Sequence, residues 1–422
     1  MDFNANNKLQ MLSVSRLELG MYVAELDRPW SETPFQYEGF EIFSEAEIGA
    51  LQQFCKVVFI DPAHVSTVGS TTIRTLHETA TAVIESQRSR LHQLLTDTEP
   101  HDYPMDRRSR LDPKRVTDAF NHARTHVIQL HRSLTNGKQV DAQHCRNVIE
   151  PLVDCTLEDP DAAAWLTFIN KDNPEKFDRR ISTAVWAAIF ARYLQLAPPV
   201  VLDIASGGLL LDLGFGRLSS SLRDHAGIFN ARERLAMQSH VRLGNEMLQQ
   251  INGVSDRVIQ MLRQHHERID GSGYPRRLRQ GEIGPYGSFA AVVDCYDAMI
   301  SETRYRTALS SAKAIRELNQ LAGSHFPELH VHCFIQALGM FPSGSIVELS
   351  TGEVGIVLQQ DPKHRLRPVL LMVRNEDKEA LKRPYTLKLA GQQATPGKRG
   401  AVWIDRGHPF GTFGVYPQQY FS

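Results

Sequence analysis

Three patterns of hydrophobic and polar positions follow one another along the chain. Residues 8–62 alternate: Met11-Leu-Ser-Val leads toward Gly20-Met-Tyr-Val, and Lys56-Val-Val-Phe-Ile-Asp61 reads as a closing strand. Within this stretch, residues 44–54 open with a capping box and continue with helical spacing. The pattern predicts a small α+β unit. Residues 70–96 place Ile73, Leu76, Ile84, Leu91 and Leu95 on roughly one side of a connecting helix. The segment 96–113, TDTEPHDYPMDRRSRLDP, is polar and highly charged and contains proline, so it is the expected linker.

From 114 to about 340 the period is helical, broken at Pro174, Pro198-Pro199, Gly207-Gly208, the Gly271–Gly287 loop and Gly323. That predicts an all-α domain of seven or more helices. After Pro342 the period shortens. Ser345-Ile-Val-Glu-Leu, Gly355-Ile-Val-Leu-Gln and Pro368-Val-Leu-Leu-Met-Val read as strands of a small antiparallel module over 343–392. The Gly-, Gln- and Pro-rich tail from 393 is expected to pack poorly. The fold class is therefore multidomain and mainly α. Its expected parts are an α+β domain (1–62), a connecting helix and linker (63–113), a helical domain (114–340), a β module (341–392) and a tail (393–422).

Composition narrows the function. A chain of 422 residues has room for two or three domains. The formal net charge of -1 gives no overall drive toward nucleic acid or an anionic membrane. The five cysteines (Cys55, Cys145, Cys155, Cys295, Cys333) form no CxxC pair, which fits reduced thiols in a cytosolic setting. The N-terminus has no basic-then-apolar leader, and no uninterrupted apolar stretch reaches the roughly 18 residues of a membrane helix. The expectation is a cytoplasmic chain with no membrane insertion.

Candidate chemistry concentrates in His265-His266-Glu267-Arg268-Ile269-Asp270-Gly271-Ser272-Gly273-Tyr274-Pro275. Two adjacent histidines near a helix end project about 100° apart and address two sides of one cavity. Gly271 and Gly273 allow backbone angles closed to other residues, and Pro275 fixes the exit of a tight loop. Glu267 and Asp270 are placed to orient the imidazoles as acceptors. A bare His-His pair is more often structural than not. The whole eleven-residue string is far more specific, and it resembles the HHExxDGxGYP signature of the HD-GYP family.

The resemblance extends over nearly the whole chain. Ser239-His240-Val-Arg-Leu-Gly244 resembles the family's HPxxG helix, Ala291-Val-Val-Asp294-Cys-Tyr-Asp297-Ala its ADVYDA helix, and Tyr305-Arg306-Thr-Ala-Leu its YRKAL segment. Residues 8–62 resemble the uncharacterised domain that often precedes it, and the stretch from Phe341 its β extension.

The resemblance implies metal-dependent hydrolysis of cyclic di-GMP at a two- or three-metal centre of iron or manganese. His240, His265, His266, Asp212 and Asp294 stand at ligand positions. Glu175 falls where some members place an extra ligand. Asp212, Glu267 and Asp270 carry over as catalytic. Gly273, Tyr274, Pro275, Arg304 and Arg306 carry over as contacts to the nucleotide.

Three positions depart from the family. The histidine before Asp212 is Leu211, the lysine three residues after it is Phe215, and the first histidine, by helical register, is Arg179. Leucine has no lone pair to donate and arginine is a permanent cation. The losses fall on one metal of the pair. The expectation is one ion or none, with a guanidinium facing Asp212 and Asp294 and hydrolysis impaired. The alternative is a catalytically inactive adaptor that engages ligand or GGDEF-type partners through the GYP surface; a homodimer is a further expectation.

Bland readings stand beside these. His240 alone is a helix histidine bonded to a carbonyl. Asp212 is equally a cap or salt-bridge partner, and Asp294 and Asp297 equally a solvated helix face. The run Arg276-Arg277-Leu-Arg279 is more often solvated than functional. His325, His330 and His332 match no pattern and read as structural.

Overall fold

In the computed structural model, residues 9–18, 21–28, 30, 33, 40–42, 45–61, 73–103, 113–169, 179–223, 227, 229–302, 307–361, 366–390 and 402–420 are described. The alternating N-terminal stretch forms β1 (Gln10–Ser13), β2 (Tyr22–Leu26), β3 (Phe40–Glu41), helix α1 (Glu45–Phe54) and β4 (Val57–Asp61). The strands order as β1-β4-β2-β3, all pairings antiparallel. Val23 and Val58 of these strands, with Ile42 just past β3, bury a small core against Leu51 of α1.

The helices that follow are α2 (Ile73–Leu95), α3 (Pro113–Thr135), α4 (Ala142–Glu158), α5 (Pro160–Ile169), α6 (Arg179–Tyr193), α7 (Pro198–Leu210), α8 (Ser220–Arg223), α9 (Ala231–Gln238), α10 (His240–Leu248), α11 (Asp256–Gln264), α12 (Pro285–Ile300), α13 (Ser311–Gln320) and α14 (Glu328–Leu338). Two-residue strands β5 (Val140–Asp141) and β6 (Ile251–Asn252) pair in parallel between them. Helix α6 is central. Every residue from Ile181 to Arg192 is buried, which is how a helix apolar on all sides must sit. It crosses α7 closely because the crossing is built from small residues: a Cβ on Gly208 would lie 3.0 Å from the Cα of Ala184.

The segment Pro198–Arg217 is long and apolar enough to span a membrane by length and composition, although Asp203 and Asp212 interrupt its apolar run. Of its 18-residue apolar window, 72% is buried inside the protein.

The helical core begins before residue 114. Leu91 and Leu95 of α2 share it with Phe120, Leu130 and Trp186. His92 lies 2.8 Å from each of the carbonyls of Leu194 and Thr98. The first part of the expected linker is packed too, since Tyr103 is buried and donates to the Leu196 carbonyl at 2.6 Å. Charge content misled there: the aromatic ring in a polar segment was the contrary signal.

The β module is a five-stranded antiparallel sheet of β7 (Ile346–Leu349), β8 (Val354–Gln359), β9 (Val369–Arg374), β10 (Ala380–Lys388) and β11 (Ile404–His408), in the order β10-β9-β8-β7-β11. The fifth strand corrects the expectation of a poorly packed tail. Ile404 pairs with Leu349 and is buried, Val415 is buried beyond it, and His408 Nε2 meets Glu348 at 2.8 Å.

Buried His330 gives a pH prediction. Its Nε2 donates to the Pro285 carbonyl at 3.2 Å, and burial pushes its pKa down to about 4. An unfolded histidine titrates near 6.5, so as pH falls the unfolded chain binds a proton that the folded chain refuses. Stability should drop between about pH 6.5 and 4, by on the order of 3 kcal/mol for this one group. Denaturant melts of wild type and His330→Gln across that window test it: the variant should show the shallower loss.

Candidate metal centre

Four helix ends converge on one site. The C-terminal end of α7 runs into Asp212 and a 3-10 turn, Leu213–Arg217. That turn lies directly on α10, because a Cβ on Gly214 would sit 1.9 Å from the His240 carbonyl oxygen. Only glycine fits there. His240 opens α10, His265 closes α11, and Asp294 and Asp297 project from α12 toward the first residue of α6, Arg179.

The two oxygens of Asp212 face different groups. Oδ1 lies 3.8 Å from His240 Nε2 and 4.0 Å from His265 Nε2. Oδ2 accepts from Arg179 Nη1 at 3.2 Å. One oxygen of Asp212 thus takes part in a salt bridge, and the other faces two imidazoles.

The histidines are oriented by backbone. His240 Nδ1 and His265 Nδ1 each lie 2.8 Å from a carbonyl, of Met237 and Leu262 respectively. A carbonyl accepts only from N–H, so both rings carry the Nδ1 proton and turn an Nε2 lone pair inward. Both Nε2 atoms are buried without a hydrogen-bond partner. Such orphaned acceptors are costly unless something binds them. Ligand atoms of Asp212, His240, His265 and His266 all lie within 4.8 Å of one another. Burial holds the pKa of His265 below the usual range and that of His266 well below it. This favours the neutral, ligating form. Three imidazoles and a carboxylate fit one divalent first-row metal.

The other half of the site is filled by Arg179. Its Nη2 donates to the Asp294 carbonyl at 3.2 Å and makes a short contact with Asp294 Oδ1. Its Nε lies 3.2 Å from Asp297 Oδ2. Burial opposes the positive charge, but Asp294, Asp212 and Asp297 outweigh it and hold the guanidinium protonated more firmly than usual. Burial likewise opposes the Asp294 carboxylate, and Arg179 beside it draws that pKa down. Leu211 belongs to the helical core. Phe215 stacks on His240, with ring centroids 4.3 Å apart and planes at 11°.

Several expectations are corrected. Glu267 does not orient an imidazole: buried, it accepts from the backbone N–H groups of Arg276 (2.7 Å) and Leu278 (2.9 Å). Asp270 is solvent-facing and accepts from the N–H and hydroxyl of Ser272 at 2.9 and 2.7 Å. Neither orients the two motif histidines: the Nδ1 of His265 faces the Leu262 carbonyl, and that of His266 lies 4.0 Å from Asp294 Oδ2. Gly271 does adopt φ +82°. Gly273 is instead required by close approach, since a Cβ would lie 2.4 Å from the Arg268 nitrogen.

Tyr274 stacks on His266 at 4.5 Å and 26°, with Pro275 following it through a cis peptide bond. Asp294 and Asp297 are buried, not a solvated face. Glu175, Arg304 and Arg306 lie outside the described residues.

Asp297 was missed as a functional residue. Fully buried, it accepts from Ser182 Oγ (2.8 Å), Thr183 Oγ1 (2.9 Å) and Trp186 Nε1 (3.2 Å) as well as facing Arg179. The available signal was the polar step Ser182-Thr183 in an otherwise apolar helix. The Glu267 arrangement carries its own prediction. Glu267→Gln replaces an acceptor-only carboxylate with an amide, and should cost about 1–3 kcal/mol. Hydrogen exchange at the Arg276 and Leu278 amides should rise with it, and unchanged exchange would refute the clamp.

The HD domain family matches residues 166–328, and a domain of unknown function (DUF3391) matches residues 9–145. A cyclic di-GMP phosphodiesterase of Pseudomonas aeruginosa is 28% identical over 364 residues, covering 85% of this chain and 84% of that protein. A cyclic di-GMP phosphodiesterase of Thermotoga maritima is 30% identical over 147 residues, 35% of this chain and 40% of that protein. Among solved structures, the HDG"Y"P protein Bd1817 from Bdellovibrio bacteriovorus aligns over 78% of this chain and 98% of its own, with TM-score 0.43 and 13% identity. The HD domain match and the two phosphodiesterase relatives support membership of the HD-GYP family, whose signature the string from His265 to Pro275 resembles.

Proposed function

We propose that this chain binds cyclic di-GMP over a centre that holds one divalent ion, iron or manganese, and that its phosphodiester hydrolysis is strongly impaired. One observation carries the reading: the Arg179 guanidinium is ion-paired with Asp212, Asp294 and Asp297, where a second cation would need those same carboxylates. Asp212, His240, His265 and His266 are the groups suited to hold the single ion. When bound, such an ion polarises a phosphoryl oxygen and acidifies water.

The chain's own residues do the remaining work. The Met237 and Leu262 carbonyls fix which imidazole nitrogen faces inward. Tyr274 covers His266 with an aromatic face suited to a nucleobase. Phe215 puts an apolar ring where the family carries a lysine, so a phosphate meets one positive group fewer.

The test is metal content with turnover. After loading with manganese or iron and desalting, the protein should retain about one ion per chain and hydrolyse cyclic di-GMP at a small fraction of a two-metal phosphodiesterase's rate. His265→Ala should lose the ion, and with it a metal-dependent stabilisation of about 3 kcal/mol at a hundredfold excess over Kd. Two tightly held ions in the wild type would end the proposal. Nucleotide binding with no turnover at all would favour the adaptor role over residual catalysis.

A further inference from the structure

A second polar layer crosses the helices that carry the metal centre. Buried Asp203 of α7 is its middle. Its Oδ1 accepts from Arg146 Nη2 of α4 at 3.1 Å. Its Oδ2 faces Arg257 Nη1 of α11 at 3.7 Å and accepts from the Ser255 hydroxyl. Ser255 caps α11, its Oγ accepting from the Val258 amide at 3.4 Å. Arg257 Nε donates to the Tyr286 hydroxyl of α12 at 2.8 Å, and that hydroxyl donates to the carbonyl of Leu95, the last residue of α2.

The spacing matches the centre. Asp203 stands nine residues before Asp212, Arg257 eight before His265, and Tyr286 eight before Asp294. At a rise of 1.5 Å per residue the two layers lie about 12–13 Å apart on all three helices. Between them α11 and α12 are held in register. Gln260 Oε1 accepts from the Tyr286 amide and Gln264 Oε1 from the Gly284 amide, each at 2.9 Å.

Tyr286 is the joint of this layer. A phenol carries one proton and two lone pairs, so it donates to α2 and accepts from α11 at once. The charge on Arg257 strengthens the bond between them. We propose that Tyr286 is a positioning residue for the metal centre: through Arg257 it fixes the base of α11 against α2 and α12, and so sets where the other end of α11 presents His265. The proposal rests on the reading of Asp212, His240, His265 and His266 as the holders of one ion. A bond that only satisfied the end of α2 would add stability and leave His265 where it is.

The experiment compares full-length wild type, Tyr286→Phe and Ser343→Ala, all well below their melting temperatures. Ser343 is the control, a buried hydroxyl that donates to Asp161 of α5 at 2.7 Å. Manganese affinity is read by calorimetry, and amide exchange on the metal-free chain. Removing a direct partner of a metal ligand costs about 10–100-fold in affinity, so Tyr286→Phe, two turns away, should cost about three- to tenfold and Ser343→Ala nothing. Exchange at the His265 amide, bonded to the Met261 carbonyl at 3.1 Å, should rise in Tyr286→Phe while the Leu243 amide of α10 stays unchanged. Arg257→Gln, at a half-buried position, should act in the same way, and it carries the test if Tyr286→Phe misfolds. The double variant should be no worse than the weaker-binding single one, because one relay breaks once. A folded Tyr286→Phe that binds manganese as wild type does, or that leaves His265 exchange unmoved, overturns the inference, as does an equal response from Ser343→Ala. A wild type without manganese affinity counts against the reading of the centre instead, and the exchange comparison then decides the role of Tyr286 alone.

Discussion

Changing Arg179 and Leu211 to histidine and Phe215 to lysine together is expected to raise cyclic di-GMP turnover by about a hundredfold or more and bound metal from one ion per chain to two. Each change restores a different function. Histidine at 179 removes the cation that pairs with Asp212 and Asp294 and supplies a lone pair in its place. Histidine at 211 adds a donor immediately before Asp212. Lysine at 215 removes the ring stacked on His240 and returns a positive group for phosphate.

The effects should be far from additive, because a second ion needs both histidines before either is useful. Single variants should stay near the wild-type rate, and the Arg179→His/Leu211→His pair should account for most of the gain. Metal analysis and turnover on the same samples check this. A wild type that already matches the triple variant would show that the guanidinium is no obstacle.

Removing the guanidinium without replacing it should have the largest effect on stability. In Arg179→Ala, Asp212, Asp294 and Asp297 lose the cation between them, with Asp294 and Asp297 deeply buried. Breaking a buried charge cluster by deleting one sign costs about 3–5 kcal/mol. The Arg179 side chain is 31% exposed, so about 2–3 kcal/mol is the better expectation here.

The distinguishing sign is how that loss is recovered. Added manganese should restore much of the stability in Arg179→Ala, since a divalent ion takes over the vacated charge and binds only the folded state. Leu211→Ala is the control: it should be destabilised by an ordinary cavity cost of about 2–5 kcal/mol with no such rescue. Denaturant melts with and without manganese decide it. A variant as stable as wild type, or one that manganese leaves unmoved, contradicts the account of Arg179 as a resident cation.

The helical architecture was legible because its signals are local. Apolar periodicity, proline and glycine breaks and one long motif string all lie within short windows. Arg179 was placed by helical register alone, counted back from Ser182, and the structure sets its guanidinium among the carboxylates of α7 and α12. What was not legible depends on partners distant in sequence. Ile404 reads as tail until Leu349 pairs with it. Asp297 reads as half of a surface pair until Ser182, Thr183 and Trp186 surround it. Glu267 sits beside two histidines in sequence, yet its carboxylate is spent on amides 9 and 11 residues further on. Adjacency along the chain was taken for adjacency in space.

Helix α2 spans 23 residues, a rod of about 35 Å. Its far end is socketed in the helical domain by Leu91, His92 and Leu95, with His92 against the carbonyl of Leu194 just past the end of α6. The same helix also contacts α1 of the N-terminal unit. A rod anchored in this way is a lever: tilting the small domain by a few degrees swings the socket and pushes on the last turn of α6, whose first residue is the arginine among the carboxylates.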